Sequence, residues 1–229
     1  METDANAGQA GHGRQRTDLL RQSRCIARVA SIQATSLLVL LAFAASADII
    51  AVGGDALLLK PTTSLDLREG PPWESDYNTL VFEERSYFVM PPNITINAKG
   101  YGTYTVPWLV DEVLPAGGDV DSHYIYFDPD VEWFGGWERN LGTVQFSREI
   151  LGVIAKKPHL MQSHSALGDN HTYPLASDDE GIEYSNLRDA DYFGIYQVNG
   201  QKLGLLYSFG ADSDVDTLRV ITRADPPGQ

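Results

Sequence analysis

The chain has 229 residues, with 17 lysines and arginines against 31 aspartates and glutamates, a formal charge of −14 and a single cysteine. That balance repels nucleic acid and anionic membranes, so neither is an expected partner. One cysteine leaves no room for a disulfide framework or a cysteine metal cluster.

The N-terminal stretch comes first. Arg14, Arg16, Arg21, Arg24 and Arg28 precede an apolar run over residues 34–45, and Ala45 and Ala47 stand at the −3 and −1 positions of an A-x-A site. This is the layout of a secretory signal peptide over residues 1–47. The run falls short of the ~20 residues that a spanning helix needs. An uncleaved anchor continuing into Ile49, Ile50, Ala51 and Val52 is the alternative, and Asp48 interrupts it. Cleavage removes Cys25 together with five arginines and three acids, so the mature chain is cysteine-free and more acidic than the whole. A chain of that size buries a core without disulfide staples. The expected location is the periplasm or the medium, with no membrane anchor left after the cut.

From residue 48 onward, apolar residues cluster in runs of four to eight rich in Val, Ile, Tyr, Phe and Thr, punctuated by Gly, Pro, Asn and Asp. That pattern predicts strands. They fall at 56–60, 79–84, 87–90, 94–98, 102–106, 122–127, 142–146, 151–156, 192–198, 203–209 and 217–222. No segment sustains a helical period, and 107–113 reads as one or two helical turns or a loop. Pro91-Pro92-Asn93 separates two strands, because proline has no N–H for a ladder. Lys99-Gly100 supplies a turn. Asn199-Gly200 is a hairpin signal, because both residues tolerate positive φ. Alternation puts Asp121, His123, Ile125 and Phe127 on one face of their strand and Val120, Ser122, Tyr124 and Tyr126 on the other. Both faces are largely apolar, as in an inner strand. Long loops are expected at 61–77, 108–118, 129–141 and 158–182, where function tends to sit. The fold class is therefore all-β. A single antiparallel β-sandwich, jelly-roll-like and with long loops, is expected over residues 48–222, followed by a polar tail at 223–229.

A run of motifs in the second half adds to this reading. They are Val120-Asp-Ser-His-Tyr-Ile-Tyr-Phe-Asp-Pro129, Gly142-Thr-Val-Gln-Phe146, Ile150-Leu-Gly-Val-Ile154, Leu160 with Ser163, Leu167-Gly168 and Tyr173, Gly181-Ile-Glu183, and Asp216-Thr-Leu-Arg-Val-Ile-Thr222. Their order resembles a group of exported bacterial proteins of uncharacterised function related to PEP-CTERM-sorted proteins. The resemblance covers somewhat more than half of the mature chain. Two departures stand out. His164 replaces the aspartate of the group's Ser-Asp pair, and the sequence ends without the C-terminal sorting tail. The resemblance implies export and carries no catalytic residues over.

Several constellations could carry chemistry. Asp212, Asp214 and Asp216 alternate, and such carboxylates can supply hard oxygen ligands to Ca²⁺. An EF-hand loop fails, because Thr217 and Arg223 hold the positions that need Gly and an acid. A solvated acidic loop is the simpler reading. Asp119, Asp121, Asp128, Asp130 and Glu132 flank one strand, and Asp178, Asp179, Glu180, Glu183, Asp189 and Asp191 make a second acidic region. Glycoside hydrolysis would need two of these on facing elements. His159, His164 and His171 read as loop histidines without a zinc motif, and Ser163-His164-Ser165 has no nucleophile elbow. Trp133 and Trp137 around Gly135-Gly136, with Trp108 on the preceding long loop, could stack on sugar rings. Capping of the core competes with that reading.

The expected function is an exported, non-enzymatic β-sandwich that binds extracellular or envelope polysaccharide. A polysaccharide-acting hydrolase and a ligand-free structural matrix or surface component are the alternatives.

Overall fold

A computed structural model of the protein describes residues 49–60, 64–68, 73, 75, 77–129, 139–169, 171–174, 180–183, 191–210 and 215–224. Two five-stranded sheets face each other. The first has the order β1 (Ile49–Gly54), β8 (Asn140–Phe146), β11 (Gln201–Phe209), β10 (Tyr192–Val198) and β5 (Gly102–Tyr104), all antiparallel. The second runs β2 (Ala56–Leu58), β3 (Thr79–Val89), β7 (Asp119–Phe127), β12 (Asp216–Arg223) and β9 (Ile150–Ile154). It is antiparallel except for the β2–β3 pair. A short ribbon of β4 (Thr95–Ile96) and β6 (Glu112–Val113) lies beside them. The protein is an all-β sandwich.

The sheets pack through alternate residues. Val81, Ile125, Phe127, Leu218 and Val220 of the second sheet meet Val144, Phe146, Phe193, Leu205 and Phe209 of the first. Strand β7 is buried from Val120 to Phe127 on both faces, because its other side, with Tyr124 and Tyr126, packs under a further layer. The inner strand and both of its faces follow the expected alternation. So does the β10–β11 hairpin: Asn199 and Gly200 have φ of 52° and 80°, and Val198 pairs with Gln201. Positive φ at both turn residues matches the twist of the flanking strands.

The further layer is a correction to the sequence reading. Helix α1 (Lys157–Leu167) occupies the start of the expected 158–182 loop. Pro158 sits in its first turn, where a missing N–H costs nothing. Its buried residues are Leu160, Ser163 and Leu167. That spacing is one helical face, but its middle position is a serine, so no apolar period registers. Three further differences concern strands. The expected strands at 79–84 and 87–90 are one strand, β3, whose register shifts between Glu83 and Phe88 and whose Tyr87 takes φ of 47°. Strand β1 is formed by the run that could have continued the signal, and it pairs with β8. The two-residue β6 carries no pattern long enough to read. The short 107–113 element is a 3₁₀ turn, Val106–Trp108. Among the described residues no helix is long and apolar enough to cross a membrane.

Between sheet and helix lies a fully buried ion pair. Glu84 of β3 and Arg219 of β12 flank β7, and both side chains are 0% exposed. Arg219 donates from Nε to Glu84 Oε2 at 2.7 Å and from Nη2 to Oε1 at 2.6 Å. Ser122 Oγ (2.8 Å) and the Tyr173 hydroxyl (2.5 Å) also donate to that carboxylate. The remaining guanidinium hydrogens go to Ser163 Oγ, the Leu160 carbonyl and His164 Nδ1, all on α1. The rings of Tyr124 and Tyr173 lie 5.0 and 5.2 Å from the Arg219 Cζ. Burial alone would raise the Glu84 carboxyl. The charge and hydrogen bonds of Arg219, with those of Tyr173 and Ser122, outweigh it and hold the group below its ordinary value. Removing one member of such a pair strands the other charge without water, which costs about 3–5 kcal/mol.

Glu84→Gln and Arg219→Met should therefore each lower unfolding free energy by about 3–5 kcal/mol in urea titrations, and the double variant should lose clearly less than the sum. Additive losses would show that the two side chains do not act as a pair.

Candidate functional site

The sequence-predicted residues separate sharply. Trp133 and Trp137 lie outside the described residues, as do Asp212 and Asp214. Trp108 is 73% exposed, at the end of the 3₁₀ turn. Asp216 opens β12 and is 1% exposed. Its carboxyl adjoins Asp191, which is fully buried and accepts the Gly210 N–H (2.7 Å) and the Glu183 N–H (2.8 Å). This pair ties the segment around residue 183 to the ends of β11 and β12. Among the described residues no group of three or more His, Cys, Asp or Glu is placed to hold a metal ion.

The other candidate acids and histidines are also built into the protein. Asp128 accepts the Tyr126 hydroxyl at 2.9 Å. Glu180 accepts the Tyr124 hydroxyl and approaches His164 Nε2 at 3.1 Å. Burial, with the Glu180 charge, pushes the Tyr124 hydroxyl well up from its ordinary value. Arg219 can only donate, so His164 Nδ1 accepts from it and the ring hydrogen sits on Nε2, facing Glu180. His171 Nδ1 accepts the Leu65 N–H at 3.0 Å. His123 is buried, with Nε2 at 3.0 Å from Thr222 Oγ1. Of the histidines read as loop residues, His164 and His171 are thus structural, and His159 and His164 lie on α1. Asp130, Glu132, Asp178, Asp179 and Asp189 lie outside the described residues.

An open arrangement surrounds Trp108. Chain direction alternates out, in, out: Trp108 faces solvent, Leu109 is 8% exposed, and Val110 is 72% exposed. The backbone here is pinned. The Trp108 N–H bonds the Thr105 carbonyl (2.8 Å), and the Val110 N–H bonds the Asn97 carbonyl (3.1 Å). Beside it sits a polar group held by Asn97, which is fully buried. Asn97 Oδ1 accepts the N–H groups of Ala155 (2.8 Å) and Lys156 (2.9 Å), at the start of α1. Its Nδ2 donates to Asp111 Oδ1 (2.9 Å) and faces His159 Nδ1 (3.3 Å). Lys156 Nζ donates to Asp111 Oδ1 (2.7 Å) and approaches the Leu109 carbonyl (3.4 Å). The Lys156 bond, aided by its charge and by Asn97, holds Asp111 below the ordinary carboxylate value. Burial lowers His159 and outweighs the nearby Asp111 charge, so the imidazole is neutral at neutral pH.

This face therefore presents an aromatic plate, an ionised carboxylate, an ammonium and a neutral imidazole on a fixed frame. Those groups can stack on a ring and exchange hydrogen bonds with hydroxyls. Of them, Trp108 stood out in the sequence as a ligand-binding candidate, and His159 was singled out only as a loop histidine. The polar asparagine inside the apolar 94–98 run was the available signal for the rest. No protein-family model matches the chain, and neither a curated protein nor a solved structure does.

Asn97→Ala should leave two buried N–H groups unsatisfied and cost about 1–3 kcal/mol. Thermal unfolding would show a lower midpoint, and chemical-shift changes should concentrate at Asp111, Lys156 and His159. A second prediction concerns pH. Burial raises the Asp191 carboxyl, with Asp216 and two N–H groups opposing only in part. A raised folded-state value means that its contribution is complete below the unfolded value of ~3.9 and is lost as pH climbs through the folded value. Glu84 has the opposite sign, and its contribution disappears as pH falls below ~4.3. Urea midpoints measured across pH should show that Asp191→Asn removes part of the decline above pH ~4. An unchanged slope would rule out a proton held by that pair.

Proposed function

We propose that the chain is an exported, non-enzymatic β-sandwich protein that binds polysaccharide through the face around Trp108. The observation that carries this reading is the solvent-facing indole on a pinned backbone, three residues before Asp111, which pairs with Lys156 and approaches His159. A Trp exposed at 73% gains little for the fold and keeps its ring free for a flat apolar partner such as a sugar face. Asp111 and Lys156 supply an acceptor and a donor for hydroxyl groups. The non-enzymatic part rests on the acids. Glu84, Asp128, Glu180 and Asp191 are buried and bonded to other protein groups. Location in the periplasm or medium belongs to the same proposal. It draws on the N-terminal signal pattern and on the resemblance to PEP-CTERM-related exported proteins.

The test is affinity electrophoresis through gels containing neutral and acidic polysaccharides, with Trp108→Ala beside the parent chain. The variant should keep its melting temperature and bind at least about tenfold more weakly, the scale expected for truncating an aromatic anchor. Equal retardation of both proteins would remove Trp108 from the account. Release of reducing ends from the same polysaccharides would favour the hydrolase reading instead.

A further inference from the structure

We infer that the ligand of the Trp108 face is a neutral glycan bound lengthwise, along a track from Trp108 to a groove at the end of the second sheet. This rests on the polysaccharide reading and adds the shape and charge class of the ligand. The groove encloses about 490 Å³. Met90, Leu114, Val120 and Leu151 line it with apolar surface, and Asp119 and Arg223 add an acceptor and a donor. That volume and mix fit a small polar ligand with apolar faces. Its walls are held together: Met90 and the Gly117–Gly118 turn exchange two hydrogen bonds (3.0 and 2.9 Å), and the Ala224 N–H bonds the Asp119 carbonyl (3.0 Å).

Groove and indole belong to one stretch of chain. Trp108 and Val110 lead into β6, where Val113 is 58% exposed, and the next residue, Leu114, is already groove lining. Trp108 to Gly118 spans at most about 35 Å at ~3.3–3.6 Å per residue. Charged pairs flank this stretch, two of them on the neighbouring residues Asp111 and Glu112. Lys156 meets Asp111, Lys99 meets Glu112, and Lys202 bonds the Lys99 carbonyl at 3.0 Å. Lys202 also meets Glu149 (3.3 Å), which meets Arg223 (3.6 Å) at the groove. In a chain of formal charge −14, the four cations of this belt meet three acids, with Glu149 shared by Lys202 and Arg223, and Asp119 in the groove supplies a fourth carboxylate. A neutral polyol finds both donors and acceptors among these groups and needs no charge of its own to meet them. A polyanion would have to pass Asp111, Glu112, Glu149 and Asp119 on an acidic protein.

Titration calorimetry on the folded chain tests this with gluco-oligosaccharides (cello- and laminari- series) and alginate oligomers, each from disaccharide to octasaccharide. Neutral oligomers should gain affinity with length, by at least about tenfold overall. Arg223→Ala combined with Asp119→Ala, both at exposed positions, should abolish most of that gain and leave disaccharide affinity within about twofold. Trp108→Ala should weaken every length. Trp108-dependent binding that does not change with length, or that ignores the double variant, overturns the track and leaves the Trp108 reading standing. Tighter binding of alginate overturns the neutral class. Binding that never depends on Trp108 overturns the polysaccharide site itself, and the track with it.

Discussion

The pairing of Glu84 with Arg219 is the constraint on which the outer half of this protein depends. Two charges from strands on either side of β7 are taken fully out of water. Their mutual attraction offsets the desolvation only if every other lone pair and proton finds a partner. The neighbours follow from that demand. Ser122 and Tyr173 complete the carboxylate, and Ser163, His164 and the Leu160 carbonyl complete the guanidinium. Glu180 then completes His164 and Tyr124. A helix and two separate loop positions are gathered onto the sheet by one buried charge. Apolar packing by Leu160 and Leu167 supplies bulk there, and the polar network supplies register.

The same helix links the buried network to the open face. Its middle is anchored on Arg219, and its first residues meet Asn97. Lys156 and His159 are thus delivered beside Asp111 by an element that is held at two points. On the other side Leu109 is buried, and Val110 bonds the Asn97 backbone. Asn97 therefore fixes both walls of the site, through its side chain to α1 and through its carbonyl to the Trp108 segment. A surface ordered before a ligand arrives loses less side-chain and loop entropy on binding. The proposed binding of a sugar chain would draw on that advantage, because each hydroxyl exchanged from water to protein contributes little net.

Much of the sandwich was legible because it rests on local rules. Asn199-Gly200 gave the hairpin, and two apolar faces gave the central position of β7. Helix α1 was not legible, because Ser163 occupies the middle of its buried face in the service of Arg219. A residue chosen for a distant partner breaks the local pattern that would reveal its element. The motifs at Leu160, Ser163, Tyr173 and Arg219, far apart in the chain, meet in this one network. Their order in the sequence reads as the footprint of a buried cluster. The open face was legible at Trp108, and at His159 only as a loop histidine. Asn97, Asp111 and Lys156 are ordinary residue types separated by up to 59 positions, and nothing local announces that they meet. Asp216, grouped by spacing with Asp212 and Asp214, turns inward to Asp191, as its place at the start of β12 requires.

Net charge gives the arrangement its final logic. A formal charge of −14 keeps such a chain dispersed and repels polyanions from most of its surface. Exposed pairs such as Lys99–Glu112 and Lys202–Glu149 add little stability, since solvent screens them and the side chains lose freedom. Their value lies in where they sit. They place cations and carboxylates side by side, with hydrogen-bond donors and acceptors in reach of solvent. On the proposed reading, an acidic protein with one strip of mixed charge and apolar surface would discriminate by repelling polyanions elsewhere. The buried pair at Glu84 and Arg219 and the exposed pairs of the belt thus use the same chemistry for opposite ends: the first fixes structure where water is absent, and the second prepares a surface where water is to be displaced.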